Sequence, residues 1–448
     1  MTPPKNCDIV VIGGGPAGSM AAGLLAQKGY QVTLLEKSHF PRPHVGESLI
    51  PHFWKYTDLL GASQAIEQEG FVRKAGGTVI WNGVIRKMNF KDFGYPRPAL
   101  HVERDRFDTI LLQQATKLGV QTFQGAMVVD VELDSETGQQ RLEYRLDGEC
   151  NTSYIDCRMI IDASGQNGVI SQRLNLRVID KQFRFFSVWG YYRGASYIGA
   201  DGVSHPHKDL ESVPPTTFVT SLQDIGDWGW SWHIPLRDST SVGLVLPIEA
   251  MATLKSSDLS REAWFEHQCR STPILGDLLQ GSQLQDDSVA FIRDYSYRTT
   301  TAAGPGYFLA GDAAGFVDPI FSVGIVFSLY SGYSAAWAVD RCLSDPASTP
   351  RYQTLYNSQL QKRLETSRAL ALPSYRPKGE LATEALAGVG FESLNEQALM
   401  NVVATMTTRS ANFSALGLGG TALAQATDKI TILDSLNERS SASSQEDN

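Results

Sequence analysis

The fold of this chain is decided by the stretch Asp8-Ile9-Val10-Val11-Ile12-Gly13-Gly14-Gly15-Pro16-Ala17-Gly18. Its apolar run ends at a cluster of glycines, and a helical stretch follows from Ala17 to Lys28. A second apolar run extends from Val32 to Leu35 and ends at Glu36. This alternation of apolar runs with a helical stretch predicts a β-α-β unit.

Each glycine of the spacing G-x-G-x-x-G has its own physical role. Gly13 permits a tight turn, Gly15 lets a pyrophosphate approach the backbone, and Gly18 allows close packing of the helix on the strand. Unpaired N–H groups at the start of the helix attract the phosphates. Glu36 ends the second strand, where its carboxylate can accept hydrogen bonds from ribose hydroxyls. The sequence therefore predicts a dinucleotide-binding unit, and at this point NAD and FAD are both open.

Length and composition are those of a globular protein without a polyanionic partner. The chain has 448 residues, 42% of them hydrophobic, and a formal net charge of −9. Its charges form no basic stripe, so we expect neither nucleic acid nor an anionic membrane as a main partner. A small substrate, free or borne by an acyl carrier, fits this charge better.

The cysteines and the N-terminus indicate a cytoplasmic protein. Five cysteines are too few and too scattered for a disulfide framework or a zinc cluster, so we expect a reducing compartment and no metal site. Residues Met1 to Cys7 lack the basic and apolar regions of a signal peptide. No apolar run approaches the length of a membrane span, and Gly324 to Val339 is expected to form a buried helix.

A second, largely antiparallel sheet is predicted between residues 182 and 292. Short aromatic-rich runs, such as Phe183 to Tyr192 and Trp230 to Leu246, are separated there by proline, glycine and aspartate. Outside this region the pattern predicts a helix from Arg104 to Leu118 and a hairpin around residues 142 to 161. The second sheet is expected to form a substrate domain.

The chain returns to the nucleotide-binding unit at Gly306 to Asp312, where a short apolar strand is predicted. The fold class is therefore α/β (α+β overall), with a discontinuous Rossmann-like domain, an antiparallel substrate domain and a helical C-terminal region. A disordered tail is expected where the sequence becomes rich in serine and polar residues. The predicted segments are 1–50, 100–181 and 293–345 for the first domain, 51–99 and 182–292 for the second, 346–436 for the helical region and 437–448 for the tail.

Three further segments occur in the order found in the glutathione-reductase-type flavoproteins. Gly311-Asp312-Ala313-Ala314 resembles their second flavin motif, in which the aspartate meets the ribityl chain. Asp162-Ala163-Ser164-Gly165 resembles their short Asp motif, and Arg104 matches the arginine that begins their central helix. The resemblance implies FAD as the cofactor. The residues expected to bind FAD are Gly13, Gly15, Pro16, Ala17, Gly18, Glu36, Lys37, Arg42, Ser48, Arg104, Asp162, Gly311, Asp312 and Gly324.

Three motifs narrow the resemblance to the flavin-dependent halogenases, which share the fold of the aromatic hydroxylases. Residues Gly229 to Pro235 match the halogenase signature G-W-x-W-x-I-P, and Phe316 to Gly324 match F-x-x-P-x-x-S-x-G. Residues Phe40 to Leu49 resemble the stretch F-P-R-x-x-x-G-E-S-L of that family. The resemblance extends over residues 7–345, and the chain looks more like the phenol and pyrrole branch than the tryptophan branch.

The halogenase resemblance assigns halogen transfer to Lys74. An isolated lysine is usually a solvated surface residue, but Phe71 to Thr78 resembles the lysine segment of these enzymes. The neighbouring cations Arg73 and Lys87 do not occupy the matching position. Lys74 is therefore the expected catalytic residue. The sequence identifies no carboxylate partner for Lys74, and the carboxylates nearest to the relevant segments are Glu47 and Asp318.

The two tryptophans of the signature have two interpretations. A Trp-x-Trp pair beside proline is most often a strand whose aromatics fill a core. Within the halogenase pattern, Trp230 and Trp232 are instead expected to line the space between flavin and substrate and to prevent direct hydroxylation. A core role for Trp232 stays open.

The resemblance also implies the reaction. Reduced FAD and O2 convert chloride or bromide to hypohalous acid, and Lys74 passes electrophilic halogen to an electron-rich phenolic or pyrrolic ring, either as an ammonium that binds the acid or as a haloamine. Amides at a helix entry can hold an anion, so Ser322, Val323 and Gly324 are expected to bind the halide. The product is expected to belong to natural-product biosynthesis.

No second G-x-G-x-x-G unit follows, so we expect FADH2 to come from a separate NAD(P)H-dependent flavin reductase. Two other classes of function stay open: an aromatic monooxygenase or geranylgeranyl-reductase-like flavoprotein, and a non-catalytic flavin-binding relic that acts as a partner protein. Neither rival enzyme needs Lys74 with the tryptophan pair, and the intact cofactor motifs disfavour the relic. The halide, the regiochemistry, the oligomeric state and the choice between a free and a carrier-bound ring are left open.

Overall fold

The computed structural model of this chain describes residues 2–81, 84–134, 138–181, 183–222 and 229–375. The chain divides into two compact units, Met1–Leu364 and Glu365–Asn448. Of the predicted helical region 346–436, the described part contains the helix Thr349–Tyr375. The rest of that region and the predicted tail 437–448 lie outside the described residues.

The described part of the chain begins with a β-α-β unit, and further helices and strands follow it. Helices α1 to α10 are, in chain order, Pro16–Gln27, Phe53–Leu60, Ser63–Glu69, Arg104–Lys117, Val169–Arg173, Met251–Ser256, Arg261–Ser271, Leu275–Leu278, Gly324–Ser344 and Thr349–Tyr375. Strands β1 to β23 are, in chain order, Asn6–Ile12, Val32–Glu36, Val72–Lys74, Gly76–Trp81, Val84–Asn89, Ala99–His101, Gln121–Gln124, Ala126–Leu133, Gln140–Leu146, Ser153–Asp162, Arg177–Ile179, Phe185–Arg193, Tyr197–Ile198, Ser204–His205, Thr216–Leu222, Gly229–Pro235, Thr240–Pro247, Gln283–Leu284, Ala290–Arg293, Tyr297–Thr299, Ala303–Gly304, Tyr307–Leu309 and Gly315–Phe316.

The first sheet contains the predicted β-α-β unit. Its strands follow the order β21-β22-β10-β1-β2-β7, and β1 pairs in parallel with both β2 and β10. Every residue of β2 is buried, as expected for a strand inside a sheet that is covered on both faces. Strand β22 pairs in parallel with β10, so the predicted return of the chain to this sheet is confirmed. The predicted hairpin is the antiparallel pair β9 and β10.

The second sheet is mainly antiparallel, with the order β18-β12-β17-β16-β15-β4-β5 and one parallel pair, β15 with β4. One face packs Phe186 and Leu244 against Trp264 and Phe265 of α7. Alternate residues on the opposite face line a cavity that the first sheet also lines. The predicted α/β fold class, with a second antiparallel sheet, is confirmed.

Two long helices agree with their predicted starts. Helix α4 begins at Arg104 and ends one residue before the predicted Leu118. Helix α9 begins at Gly324 and continues past Val339, where the apolar pattern stops, to Ser344. In this last part, the Asp340 carboxylate lies 3.0 Å from Lys28 Nζ. No helix within the described ranges has the length and apolar character needed to cross a membrane.

Candidate active site

A cavity of about 680 Å³ lies at the carboxyl ends of β1 and β2 and extends to the second sheet. It brings together most of the residues expected to bind FAD. Those that line the cavity are Gly13, Gly15, Pro16, Ala17, Glu36, Lys37, Arg42, Ser48, Arg104, Gly311, Asp312 and Gly324. Gly18 and Asp162 lie behind the cavity wall.

The glycine loop is shaped by close backbone contacts. A Cβ atom on Gly18 would lie 1.9 Å from the carbonyl oxygen of Gly13, and one on Gly13 would lie 2.4 Å from the carbonyl oxygen of Ala163. Gly13 also has φ = +100°, which disfavours other residues. By contrast, a Cβ on Gly15 would meet nothing nearer than Arg42 Nη2 at 3.5 Å. Packing therefore requires Gly13 and Gly18, whereas Gly15 leaves its backbone open toward the cavity.

Two charged side chains beside this loop fit a ribose and a phosphate. The buried Glu36 carboxylate accepts the Gly14 amide at 2.7 Å and the Ser38 amide at 2.8 Å. Each of its oxygens keeps a second lone pair for a ribose hydroxyl. Arg42 Nη1 is buried and has no hydrogen-bond partner within the described residues. The same nitrogen lies 3.6 Å from a carboxylate oxygen of Asp108. A buried cationic donor that has an ion pair but no hydrogen bond can still donate to a cofactor that carries phosphate.

Arg104 holds the loop that carries the F-P-R-x-x-x-G-E-S-L stretch. Its guanidinium donates to both oxygens of Asp108, at 2.8 and 2.9 Å, and to the Val45 carbonyl at 2.7 Å. Because Asp108 lies one turn further along α4, the pair fixes the guanidinium at the start of that helix. Arg104 thus ties the loop to α4 at the cavity edge.

The two aspartates of the flavin motifs have different positions. Asp312 lines the cavity, and burial raises the pKa of its carboxyl group to about 6. Asp162 is fully buried and accepts the amides of Ser164 at 3.0 Å and Ile170 at 2.7 Å. Asp162 therefore shapes the loop 163–169, whose residues line the cavity, without lining it itself.

The signature tryptophans form part of the second-sheet wall. Trp230 and Trp232 lie two apart on β16, so both face the cavity, and their ring centres are 6.0 Å apart. Both are buried. Trp232 donates its indole N–H to Ser241 Oγ at 3.1 Å and lies across Gly243, where a Cβ atom would be only 2.2 Å from the ring. Gly243 thus lets this indole lie flat against the sheet.

Lys74 is a buried amine that is hydrogen-bonded to a neutral hydroxyl. It ends β3, is 4% exposed, and donates from Nζ to Ser48 Oγ at 2.8 Å. Its Nζ lies 5.4 Å from the centre of the Phe90 ring. Burial disfavours the charged form and lowers the pKa of Lys74 to about 7. Lys74 does not line the cavity, whereas Ser48 does, so the hydroxyl of Ser48 separates the amine from it.

The predicted halide-binding residues stand at the start of α9. Ser322 lines the cavity in a left-handed conformation (φ = +57°), and its amide donates to the Pro319 carbonyl at 3.0 Å. Its hydroxyl donates to Ser48 Oγ at 3.0 Å. Val323 precedes the helix and Gly324 is its first residue. The first N–H groups of a helix have no partner inside it. Gly324 lines the cavity, whereas Val323 does not.

Sequence reasoning missed two residues at this place. Thr217 on β15 lies 2.8 Å from Ser48 Oγ and 2.9 Å from His101 Nε2, and His101 Nδ1 lies 3.0 Å from the Pro235 carbonyl oxygen. Pro235 is the last residue of the signature strand β16. Its place in the motif G-W-x-W-x-I-P is the only sequence signal that could have indicated this part of the site. We call Lys74, Ser48, Ser322, Thr217 and His101 the Lys74 cluster.

Strand register explains why these side chains meet. Across β6, His101 pairs with Val72 on one side and forms a bridge to Ser48 on the other. Lys74 lies two residues after Val72 and so shares its face. Residues far apart in sequence are thereby brought to one face.

The two carboxylates closest to these segments in sequence have other partners. Glu47 is buried and accepts the Tyr191 hydroxyl at 2.7 Å and the Gly46 amide at 2.9 Å. Asp318 accepts the Ile320 amide at 2.9 Å. Lys74 donates to the hydroxyl of Ser48. Neither Glu47 nor Asp318 is its hydrogen-bond partner.

Comparison with known proteins identifies the cofactor and the family. Residues 6–366 match the FAD binding domain family, so the cofactor is FAD. The chain is 38% identical over 360 residues to a tryptophan 2-halogenase of Chondromyces crocatus, covering 79% of this chain and 65% of that protein, so it spans about two thirds of that relative. It is 33% identical over 362 residues to the 1H-pyrrole-2-carbonyl-peptidyl-carrier-protein chlorinase of Pseudomonas fluorescens, covering 73% and 74% of the two chains.

A solved structure also matches this chain. The crystal structure of the flavin-dependent halogenase CmlS superimposes with a TM-score of 0.73 at 27% identity, and covers 97% of this chain and 78% of that one. The predicted resemblance to the flavin-dependent halogenase family is therefore confirmed, whereas the choice of the phenol and pyrrole branch stays a prediction. With its FAD binding domain, these sequence identities and this shared fold, the chain belongs to the flavin-dependent halogenases.

Proposed function

We propose that this protein is an FADH2-dependent halogenase that uses O2 and chloride or bromide to halogenate an electron-rich aromatic ring. One observation carries the proposal. The buried amine of Lys74 is hydrogen-bonded to Ser48, and Ser48 lines the cavity that also contains the predicted FAD-binding residues. An aromatic monooxygenase of the same fold has no use for such an amine.

When bound as FADH2, the cofactor would activate O2, and the activated oxygen would oxidise a halide to hypohalous acid. The chain's own residues hold the reactants. Arg42 offers a phosphate the Nη1 donor that has no hydrogen bond, and Glu36 offers lone pairs to a ribose. The amides of Val323 and Gly324 hold the halide at the start of α9, where the helix dipole adds to the attraction.

Lys74 is poised between its two protonation states near neutral pH, because burial lowers its pKa to about 7. As an ammonium it can donate a hydrogen bond to hypohalous acid and polarise the oxygen–halogen bond. As a free amine it can attack the halogen, which forms a nitrogen–halogen bond and releases hydroxide that takes the amine's proton as water. In either form the ring then takes halogen as an electrophile and loses a proton.

The tryptophan pair separates the cofactor from the ring to be halogenated. Trp230 and Trp232 occupy the wall of the cavity, and the hydrogen bond from Trp232 to Ser241 holds the indole in place. A fixed aromatic wall keeps the substrate from activated oxygen and so disfavours hydroxylation.

Two relatives support the proposed substrate class. The names of the two relatives describe a tryptophan and a carrier-bound pyrrole as their substrates. Both rings are electron-rich, which supports a phenolic or pyrrolic substrate here, free or on a carrier protein, in natural-product biosynthesis. A separate NAD(P)H-dependent flavin reductase is proposed to supply FADH2. The unpaired state of all five cysteines supports the cytoplasm as the compartment.

A reconstituted reaction tests the proposal. The protein is incubated with FAD, NADH, an unrelated flavin reductase, oxygen, and either chloride or bromide, with phenol and pyrrole substrates offered free and as carrier thioesters. Mass spectrometry is expected to detect a halogen replacing hydrogen on the ring. Hydroxylated product without halogen would overturn the proposal in favour of a monooxygenase.

A further inference from the structure

We propose that His101 and Thr217 are positioning residues, which form a directed hydrogen-bond chain that keeps Ser48 an acceptor toward both Lys74 and Ser322. The inference deepens the proposed function, on which its kinetic part rests. It follows from counting donors and acceptors along the Lys74 cluster. The chain begins at the backbone of the signature strand and ends at the lysine.

The backbone end sets the direction. The Pro235 carbonyl can only accept, so His101 Nδ1, at 3.0 Å, must carry a proton. Burial lowers the pKa of His101 well below its ordinary value, so the ring is neutral and its Nε2 is an acceptor. The tautomer is thus determined by a carbonyl on β16.

Each hydroxyl then has one possible role. Thr217 must donate its single proton to His101 Nε2 at 2.9 Å, because Nε2 has none to give. Ser48 must therefore donate its own proton to Thr217 at 2.8 Å. Ser48 has only lone pairs left, and these accept from Lys74 at 2.8 Å and from Ser322 at 3.0 Å.

Two consequences follow for the site. The Ser322 hydroxyl has its proton directed at Ser48, so it has no donor to give to a halide, which leaves that task to backbone amides. Lys74 faces an oriented acceptor, which favours the ammonium and holds it against Ser48, the residue that lines the cavity. Among the described residues, the Phe90 ring centre lies 5.4 Å from Nζ, and His101 is a second ionisable group that interacts with Lys74 but adds no charge in its neutral form.

Paired substitutions separate polarity from packing. Thr217→Val keeps the shape and removes the hydroxyl, whereas Thr217→Ser keeps the hydroxyl. His101→Met removes both ring nitrogens, whereas His101→Gln can donate to Pro235 with its amide nitrogen and accept from Thr217 with its oxygen. Thermal unfolding and FAD affinity are measured for each variant, and if one position does not fold, the pair at the other position carries the test.

The first measurement uses the flavin-free protein. The 13Cε signal of Lys74, assigned by its loss in Lys74→Met, is titrated by NMR in 13C-lysine-labelled protein. In Thr217→Val the proton of Ser48 is released and can donate to the free amine, so Lys74 is expected to titrate at a pH lower by about 1. The Thr217→Ser and His101→Gln variants are expected to titrate like the wild type. An unchanged titration in Thr217→Val, or identical titrations in the two His101 variants, would overturn the proposal.

The second measurement is ring halogenation. Thr217→Val and His101→Met are each expected to lower its rate about tenfold, and the double variant is expected to be no slower than the slower single one, because both changes break the same chain. Additive losses would contradict a single chain. If the wild type halogenates nothing, the proposed function fails, while the titration still decides whether the hydrogen-bond chain exists.

Discussion

The glycine loop and the Lys74 cluster are built in opposite ways. The loop is one contiguous stretch, 13–18, and acts through its backbone, whose close contacts exclude side chains at two positions. The Lys74 cluster acts through side chains that come from five separate segments and meet by strand register and hydrogen bonds. A site formed by backbone atoms can be recognised from one short stretch of sequence, whereas a site formed by side chains from several segments depends on the whole fold.

The largest effect is expected from a side chain placed inside the glycine loop. Gly18→Ala puts a Cβ atom 1.9 Å from the Gly13 carbonyl oxygen, so FAD affinity should fall by more than ~100-fold and thermal stability should fall with it. Gly15→Ala is the matched control, because its Cβ meets only ordinary contacts. It should weaken FAD binding with little change in thermal stability. Flavin fluorescence and calorimetry measure the two, and equal destabilisation by both substitutions would contradict the assigned roles.

In the Lys74 cluster, a substitution is expected to increase stability, when it removes the charge of Lys74. The folded pKa of about 7 lies below the ordinary 10.5, so folding opposes the ammonium below pH 7, at a cost of at most ~5 kcal/mol. That cost is lost as pH rises from 7 to 10.5, because the unfolded chain then binds the proton that the folded chain has released. Lys74→Met should therefore raise the free energy of unfolding by ~2 kcal/mol at pH 6 and by much less at pH 10. Urea unfolding at both pH values measures this, and a stabilisation that is independent of pH would be evidence against a buried ammonium.

A smaller effect on halogenation is expected from a substitution beside Trp232, in the cavity wall that the second sheet forms. Gly243→Ala forces a Cβ atom into the Trp232 ring, so the indole must tilt into the cavity, and kcat/KM for halogenation should fall about tenfold. FAD affinity should stay within about twofold of the wild type. Gly77→Ala is the matched control, since its Cβ would meet no atom nearer than 3.9 Å in the same sheet. Equal losses in the two variants would refute the role of Gly243.

The smallest effect is expected next to Lys74 in the chain. Arg73 is exposed and lies on the opposite face of β3. Arg73→Met should leave kcat/KM for halogenation within about twofold of the wild type. A tenfold loss of kcat/KM in this variant would show that a positive charge near β3 supports halogenation even when it lacks the hydrogen bonds of Lys74.

The sequence predicted the cofactor region well because its signals are local. The β-α-β unit, the start of α4 at Arg104 and the return strand at 307–309 all follow from periodicity and glycine spacing. Asp162 was less predictable: its motif places it beside the cofactor, but its carboxylate is used by two amides and a hydroxyl of the following loop. A motif identifies the loop and leaves open which atom faces the ligand.

The Lys74 cluster was only partly predictable. Lys74 and Ser322 could be found from family motifs, whereas His101 and Thr217 carry no motif of their own, and their partners are set by how β6 and β15 pack. Ser48 was expected to bind FAD, and it also joins Lys74 to Ser322. Hydrogen-bond direction depends on tautomers and on a backbone carbonyl, which spacing in a sequence cannot encode.

The central claim is that the cofactor region makes hypohalous acid and the Lys74 cluster transfers its halogen. The most direct test measures both products of one variant, Lys74→Met, with Arg73→Met as the matched control. A 1,3-diketone trap records hypohalous acid that escapes, while mass spectrometry records the halogenated ring. We predict that Lys74→Met binds FAD normally, still halogenates the trap, and loses ring halogenation by more than ~100-fold. Ring halogenation that persists in Lys74→Met would contradict the claim.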